Sequence, residues 1–141
     1  MARISQRLYR LVASRARSCC EYCHLPQDAE VMDLTIDHVI PQVEQGESDE
    51  SNLALACLWC NSRKWTQTKA ADPKTGRPVT LFHPRQHDWS DHFRWSADDP
   101  TRLEGTTPTG RATVVALQMN SRRAMQIRRW LMVVGRHPQR S

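Results

Sequence analysis

The sequence predicts an α+β protein: a small core stapled by a four-cysteine zinc site, an N-terminal helix ahead of it, and a C-terminal hairpin plus helical extension behind it. Three observations carry this. Two Cys-x-x-Cys pairs, Cys20/Cys23 and Cys57/Cys60, are separated by 33 residues, longer than a plain zinc ribbon needs, so a hairpin fits between them. Apolar residues recur at helical spacing near both ends of the chain and alternate between the cysteine pairs. With 141 residues, 39% of them hydrophobic but only two Phe and two Tyr, a single core is thin enough to gain from a metal staple.

The elements follow in order. Residues 3–17 read as an amphipathic helix, with Ile4, Leu8, Leu11 and Val12 on one face; this outweighs the alternative that the acid-free, Arg-rich start is a transit peptide. A first metal turn spans residues 20–24. Residues 31–40 alternate loosely and close at Pro41, as a strand or hairpin arm does. Residues 42–51 are a polar loop, residues 52–56 lead to the second cysteine pair, and a short helix is expected from Asn61 to about Lys69, with Arg63 and Lys64 in its first turn. Residues 72–78, Asp-Pro-Lys-Thr-Gly-Arg-Pro, read as a turn-rich linker dividing residues 1–71 from an extension, 72–141, packed on them. Beyond it, residues 79–82 and 92–96 are candidate strands, and the turn at 98–101 lets residues 102–105 pair back as a hairpin. Thr107-Pro108 signals a helix start, with helices near 108–119 and 121–134 and Gly135 as a stop. The second of these presents Met125, Ile127, Leu131 and Val134 on one side, and the tail from His137 is expected to fray.

Charge is distributed unevenly. Residues 18–62 hold nine acids and no Lys or Arg, whereas from Gly105 onward there are seven arginines and no acid, within a net charge of +5. An acidic, cation-binding centre flanked by Arg and Lys suits a metal-dependent enzyme acting on a polyanion; solvated helix faces account for the arginines equally well. No apolar run reaches the roughly 18 residues of a spanning helix, so no membrane partner is expected. Five cysteines in this pattern suit a reducing cytoplasm and metal-bound thiolates, which leaves Cys19 as a free thiol or an alternative ligand. A thioredoxin-like redox role lacks a βαβ pattern, and a disulfide scaffold fits less well still.

The residues inside the cysteine bracket carry the chemistry. Phosphodiester hydrolysis needs an activated water, neutralised phosphate charge and a stabilised leaving oxygen. His38, ordinarily titrating at about 6.5, can accept a proton from water at neutral pH. Asp37 beside it is a hard oxygen ligand for Mg²⁺ or Mn²⁺, and Asn61 can add a carbonyl oxygen. Adjacent residues on a flat strand face opposite ways, so Asp37 and His38 share a site only if the strand twists or ends there, and Pro41 supplies the end. Asn52, whose amide can span two backbone groups, is expected to brace the loop that orients His38. Arg63 and Lys64 are expected to approach phosphate from a helix N-terminus.

The segments Cys20-Glu-Tyr-Cys23, Ile36-Asp37-His38-Val39-Ile40-Pro41 and Asn52-Leu-Ala-Leu-Ala-Cys57-Leu-Trp-Cys60-Asn61-Ser-Arg-Lys64 resemble, over residues 15–69, the HNH endonuclease family with a four-cysteine zinc site. The resemblance implies a ββα-metal fold, a structural Zn²⁺ on the cysteines, His38 as general base and Asn52 as the middle asparagine. It also implies a catalytic divalent ion on Asp37 and Asn61, with Asn61 standing where histidine is common, an H-N-N version. The implied activity is hydrolysis of DNA, with double-stranded DNA as partner. Arg122, Arg123 and Arg129 of the C-terminal helices are expected to grip the duplex beside Arg63 and Lys64. The alternative is a zinc-stabilised nucleic-acid-binding module without catalysis, which leaves Asp37, His38, Asn52 and Asn61 unexplained. The region around Leu81-Phe82-His83-Pro84-Arg85 and residues 89–95 resembles the extension of some bacterial and phage-like HNH proteins; there His83, His87 and His92 are expected to pack against Trp89 and Trp95 rather than to bind a second metal.

Overall fold

A computed structural model of the chain, describing residues 4–139, contains short antiparallel hairpins joined and covered by helices. The first residue of the expected helix at 3–17 and the last two of the expected frayed tail, Arg140 and Ser141, lie outside the described residues. The chain divides into two compact units: one runs up to Thr68 and takes in His83–His87, and the other comprises Lys69–Phe82 and the chain from Asp88 onward. No helix among the described residues is long and apolar enough to cross a membrane.

In the first unit, helix α1 (Gln6–Arg15) starts at Ser5, whose Oγ accepts the Leu8 N–H at 3.1 Å. It buries Val12, ties Tyr9 Oη to the Leu34 carbonyl at 2.6 Å and directs Arg15 to the carbonyl of Leu53. Strand β1 (Thr35–His38) pairs antiparallel with β2 (Leu53–Ala56), with Asp37 opposite Ala54 and His38 opposite Leu53. Every β2 side chain is buried, so this strand is the floor of the unit, with Leu25, Leu34 and Val39 completing the core. Helix α2 (Leu58–Lys64) follows at once, giving the ββα order expected. Its start differs from the sequence expectation: the helix begins at Leu58 with Cys57 as its cap, three residues before Asn61, so Arg63 and Lys64 lie in the last turn rather than the first. The sulfur of Cys57 accepts the Cys60 N–H at 3.4 Å and does what Ser or Asp does at other helix starts.

The second unit is built round helix α4. The stretch read as a linker is instead the turn of a hairpin, β3 (Lys69–Ala71) with β4 (Pro78–Thr80). Asp72 is fully buried in it, its carboxylate accepting the Lys74 N–H at 3.0 Å and two N–H groups of Arg111 at 2.9 and 2.8 Å. A partner 39 residues away leaves no local signal. Helix α3 (Trp89–His92) leads into β5 (Phe93–Trp95), which pairs with β6 (Leu103–Gly105) as the turn at 98–101 requires. Helix α4 (Pro108–Ala116) begins at Thr107 and has Pro in its first turn. Gly110 lets it approach closely, since a Cβ there would collide with the His92 carbonyl. Phe82, Phe93, Trp89 and Trp95 form the aromatic part of the core, with neighbouring centroids 5.1–5.8 Å apart.

Helix α5 (Arg122–Val133), capped by Ser121, buries Ala124, Ile127, Arg128 and Leu131. Val134, expected on that face, is 65% exposed, and Arg128 takes a core place instead. The Arg128 guanidinium donates to the Thr101 carbonyl at 2.9 Å and lies 5.0 Å from the Trp95 ring centroid. His137 is likewise tied rather than frayed: its ring meets Trp95 edge-on, and Nε2 lies 2.7 Å from the Pro100 carbonyl.

Candidate active site and metal centre

Cys20, Cys23, Cys57 and Cys60 are all buried, and their sulfurs lie within 4.8 Å of one another. In the first turn, Cys20 N–H donates to the Leu25 carbonyl at 2.9 Å, His24 N–H returns to Cys20 O at 2.9 Å, and His24 takes a left-handed φ of 67° to close the loop. In the second, Cys57 caps α2 and Cys60 follows one turn later. Glu21 joins the turns to β2: its N–H donates to the Leu55 carbonyl, and its carboxylate accepts the Leu55 N–H, both at 2.8 Å. Arg85, from the returning segment, completes the pair with Glu21.

The donor chemistry fits zinc. Cys23 Sγ and Cys57 Sγ stand 3.7 Å apart, against about 3.8 Å for the edge of a tetrahedron with Zn–S of about 2.3 Å. Burial pushes the Cys20 thiol well up; hydrogen bonds with the other three sulfurs, then burial, raise Cys60, while hydrogen bonds from Cys20, Cys23 and Cys60 hold Cys57 low. A divalent ion binds such sulfurs as thiolates by displacing their protons. Among the described residues this is the one cluster of metal-ligating side chains. Cys19 stands outside it, in a β-bridge with Pro26. His83, His87 and His92 form no second cluster: the His83 N–H donates to His87 Nδ1 at 3.0 Å, while His92 Nδ1 lies 2.6 Å from Thr107 Oγ1. Burial lowers the His83 pKa.

The alternation of β1 sorts the other candidates. Thr35 and Asp37 share the face toward α2, and His38 has the other. Asp37 is 3% exposed. Its Oδ2 accepts from Tyr22 Oη at 2.5 Å, and Lys64 Nζ lies 3.2 Å from Oδ2 and 3.3 Å from Oδ1. The same ammonium donates to the carbonyls of Val39 at 2.9 Å and His38 at 3.4 Å. Burial, then the Asp37 carboxylate, keeps the Tyr22 phenol well above its ordinary pKa. Asn61, three residues before Lys64 on α2, donates from Nδ2 to Thr35 Oγ1 at 2.7 Å. Asp37 and Asn61 thus belong to one seam between β1 and α2, where the ammonium of Lys64 already answers the carboxylate.

His38 is half-buried, with Nε2 2.9 Å from Ser48 Oγ. Asn52 holds the intervening loop. Its Oδ1 accepts the Ile40 N–H at 2.8 Å, and its Nδ2 donates to the carbonyls of Ile40 and Glu47, each at 2.9 Å. Gly46 lies so close to the Ile40 carbonyl that any side chain would open the loop.

Lys64, expected against phosphate, is instead 1% exposed, its ammonium held by the Asp37 carboxylate and the carbonyls of His38 and Val39. Arg63 is exposed at the C-terminal end of α2, Arg122 and Arg129 are exposed on α5, and Arg123 is half-buried. Tyr22, Thr35 and Ser48 were missed in the sequence. Thr35 and Tyr22 had a signal, two residues before Asp37 and within the first cysteine pair; Ser48, in a polar loop, had none.

Residues 20–67 match the family model described as HNH endonuclease. No curated protein and no solved structure matches the chain.

Proposed function

We propose, starting from an HNH domain at residues 20–67, that this protein is an endonuclease hydrolysing phosphodiester bonds in DNA, with His38 as the general base. The observation that carries this reading is the half-buried imidazole at the end of β1, bonded through Nε2 to Ser48 Oγ. With Nε2–H donating to Ser48, the Nδ1 lone pair takes the proton of a water. The oxygen of that water bonds to phosphorus as the bond to the leaving oxygen breaks. Asn52, by holding Ile40 and Glu47, fixes the loop from which Ser48 orients the ring.

Asp37 and Asn61 would hold a divalent cation, Mg²⁺ or Mn²⁺. Both offer hard oxygen donors from one seam, and the Lys64 ammonium on Asp37 is an internal stand-in for positive charge there. When bound, such an ion supplies charge neutralisation at the phosphate and leaving oxygen. Lys64 contributes positive charge to Asp37 without it and keeps the end of β1 in place through the carbonyls of His38 and Val39. Arg63, Arg122, Arg123 and Arg129 are proposed to meet the DNA backbone.

A second reading, a zinc-stabilised nucleic-acid-binding module without catalysis, draws on the enclosure of Asp37, which is 3% exposed. One experiment decides between them. Supercoiled plasmid with Mg²⁺ or Mn²⁺ is expected to be nicked or linearised, chelator is expected to stop it, and His38→Ala is expected to lose roughly 10²–10⁴-fold of the rate while keeping zinc and melting normally. DNA binding without any cleavage favours the second reading.

A further inference from the structure

The outer side of α2 carries a feature that hydrolysis itself does not use. Trp59 and Trp65 are 43% and 75% exposed, Leu58 between β2 and them is 47% exposed, and Arg63 is exposed in the same short stretch. The Arg63 guanidinium lies 5.6 Å from the centroid of the Trp59 ring, as expected of residues four apart on a helix. Trp65 ends the helix at φ 49° and ψ −119°, a conformation that a bulky L side chain rarely adopts. Its N–H is nonetheless bonded to the Asn61 carbonyl at 2.8 Å, so the backbone is fixed while the indole stands in solvent. Exposed single apolar residues need no explanation; an indole under a guanidinium and a second indole held in a strained turn at the end of the same short helix do.

We propose that the exposed indoles of Trp59 and Trp65 stack the unpaired bases of a DNA strand, so that the preferred substrate is single-stranded or locally opened DNA. The inference rests on the endonuclease reading for its choice of partner, and on charge and ring chemistry for its form. Indole faces stack any base, at roughly 5- to 150-fold in affinity per base, and a nearby Arg answers the adjoining phosphate. An intact duplex hides its base faces and offers this surface only phosphate.

The test is fluorescence anisotropy with a labelled oligothymidine and a labelled duplex of equal length, in buffer with zinc but no Mg²⁺ or Mn²⁺. The unaltered protein is expected to bind the single strand more tightly. The double variant Trp59→Ala/Trp65→Ala is expected to lose about 10- to 100-fold on the single strand and less than about 3-fold on the duplex, with zinc content and melting temperature unchanged. Trp59→Phe/Trp65→Phe is expected to recover most of the loss, because phenyl rings stack too. Equal losses on both ligands, no loss on the single strand, or a change in sedimentation mass that marks the face as a contact between copies of the chain would each overturn the proposal. Binding through the tryptophans in a protein that cuts no plasmid supports the surface and removes the endonuclease reading; normal cutting with unaltered binding in the double variant does the reverse.

Discussion

The two cysteine turns use the same spacing and put an aromatic residue at the same place, directly before the second cysteine, yet Tyr22 is wholly buried and Trp59 is 43% exposed. The difference comes from what each turn leads into. After Cys23 the chain reverses through the left-handed His24 and pairs back at Leu25, which folds Tyr22 under β1 and puts its hydroxyl on Asp37. Cys57 instead caps a helix, so the equivalent side chain leaves on the outer face. A metal clip fixes where sulfurs go; the next few residues decide whether the aromatic between them builds the interior of the site or its exterior.

The largest effect should be common to both turns. Cys20→Ser and Cys57→Ser are each expected to release zinc and unfold the first unit, because structural zinc contributes about 10 kcal/mol or more to folding in small modules; thermal melting with metal analysis reads this. Equal melting of either variant and the parent would break the symmetry of the clip. Next comes a contrast within α2. Lys64→Met leaves the Asp37 carboxylate buried without its ammonium, at a cost of about 3–5 kcal/mol, whereas Arg63→Met is expected to stay within about 0.5 kcal/mol; urea midpoints compare them. The sharpest test of the comparison is Tyr22→Phe against Trp59→Phe. Loss of a hydrogen bond to a buried charge should destabilise by about 1.5–3 kcal/mol, and the exposed indole by less than about 0.5. Similar values would mean the two turns are not used differently.

The smallest effect lies in the second unit, which has no metal site among the described residues to mask it. Arg111 holds the Asp72 carboxyl down to about 2 from an ordinary 3.8. A depressed acid contributes stability above its unfolded pKa and loses it as pH falls, so this contribution is complete above about pH 4 and fades toward pH 2. Arg111→Leu is expected to flatten that part of the stability profile, read by denaturant midpoints between pH 5 and pH 2.5. An unchanged acid limb would remove the pair from the account.

What could be read in the sequence was local. The cysteine spacing gave the clip, Pro41 the end of β1, Thr107-Pro108 the start of α4, and the turn at 98–101 the β5–β6 hairpin. The reach of Asn52 to two backbone segments was legible too, because a carboxamide has few other uses in a polar loop. The misreadings share a cause. A sulfur cap at Cys57 carries none of the Ser, Thr, Asp or Asn signal of a helix start, and α2 begins three residues before Asn61, so Lys64 lies at its end, on the seam rather than in solvent. Residues 72–78 have the composition of a linker, and only Arg111, distant in sequence, makes Asp72 part of a core. Arg128 reads as one more basic residue until Trp95 and the Thr101 carbonyl surround it.

Glu21 draws its guanidinium from Arg85, a residue reached only after the chain has built β3 and β4 elsewhere. The cysteine-clipped unit is therefore not a cassette that recombination can lift out in one piece. A gene fusion joined anywhere between residues 69 and 82 would leave that carboxylate without its cation, and a lineage that swapped its C-terminal half would have to reinvent a positive charge at this one spot.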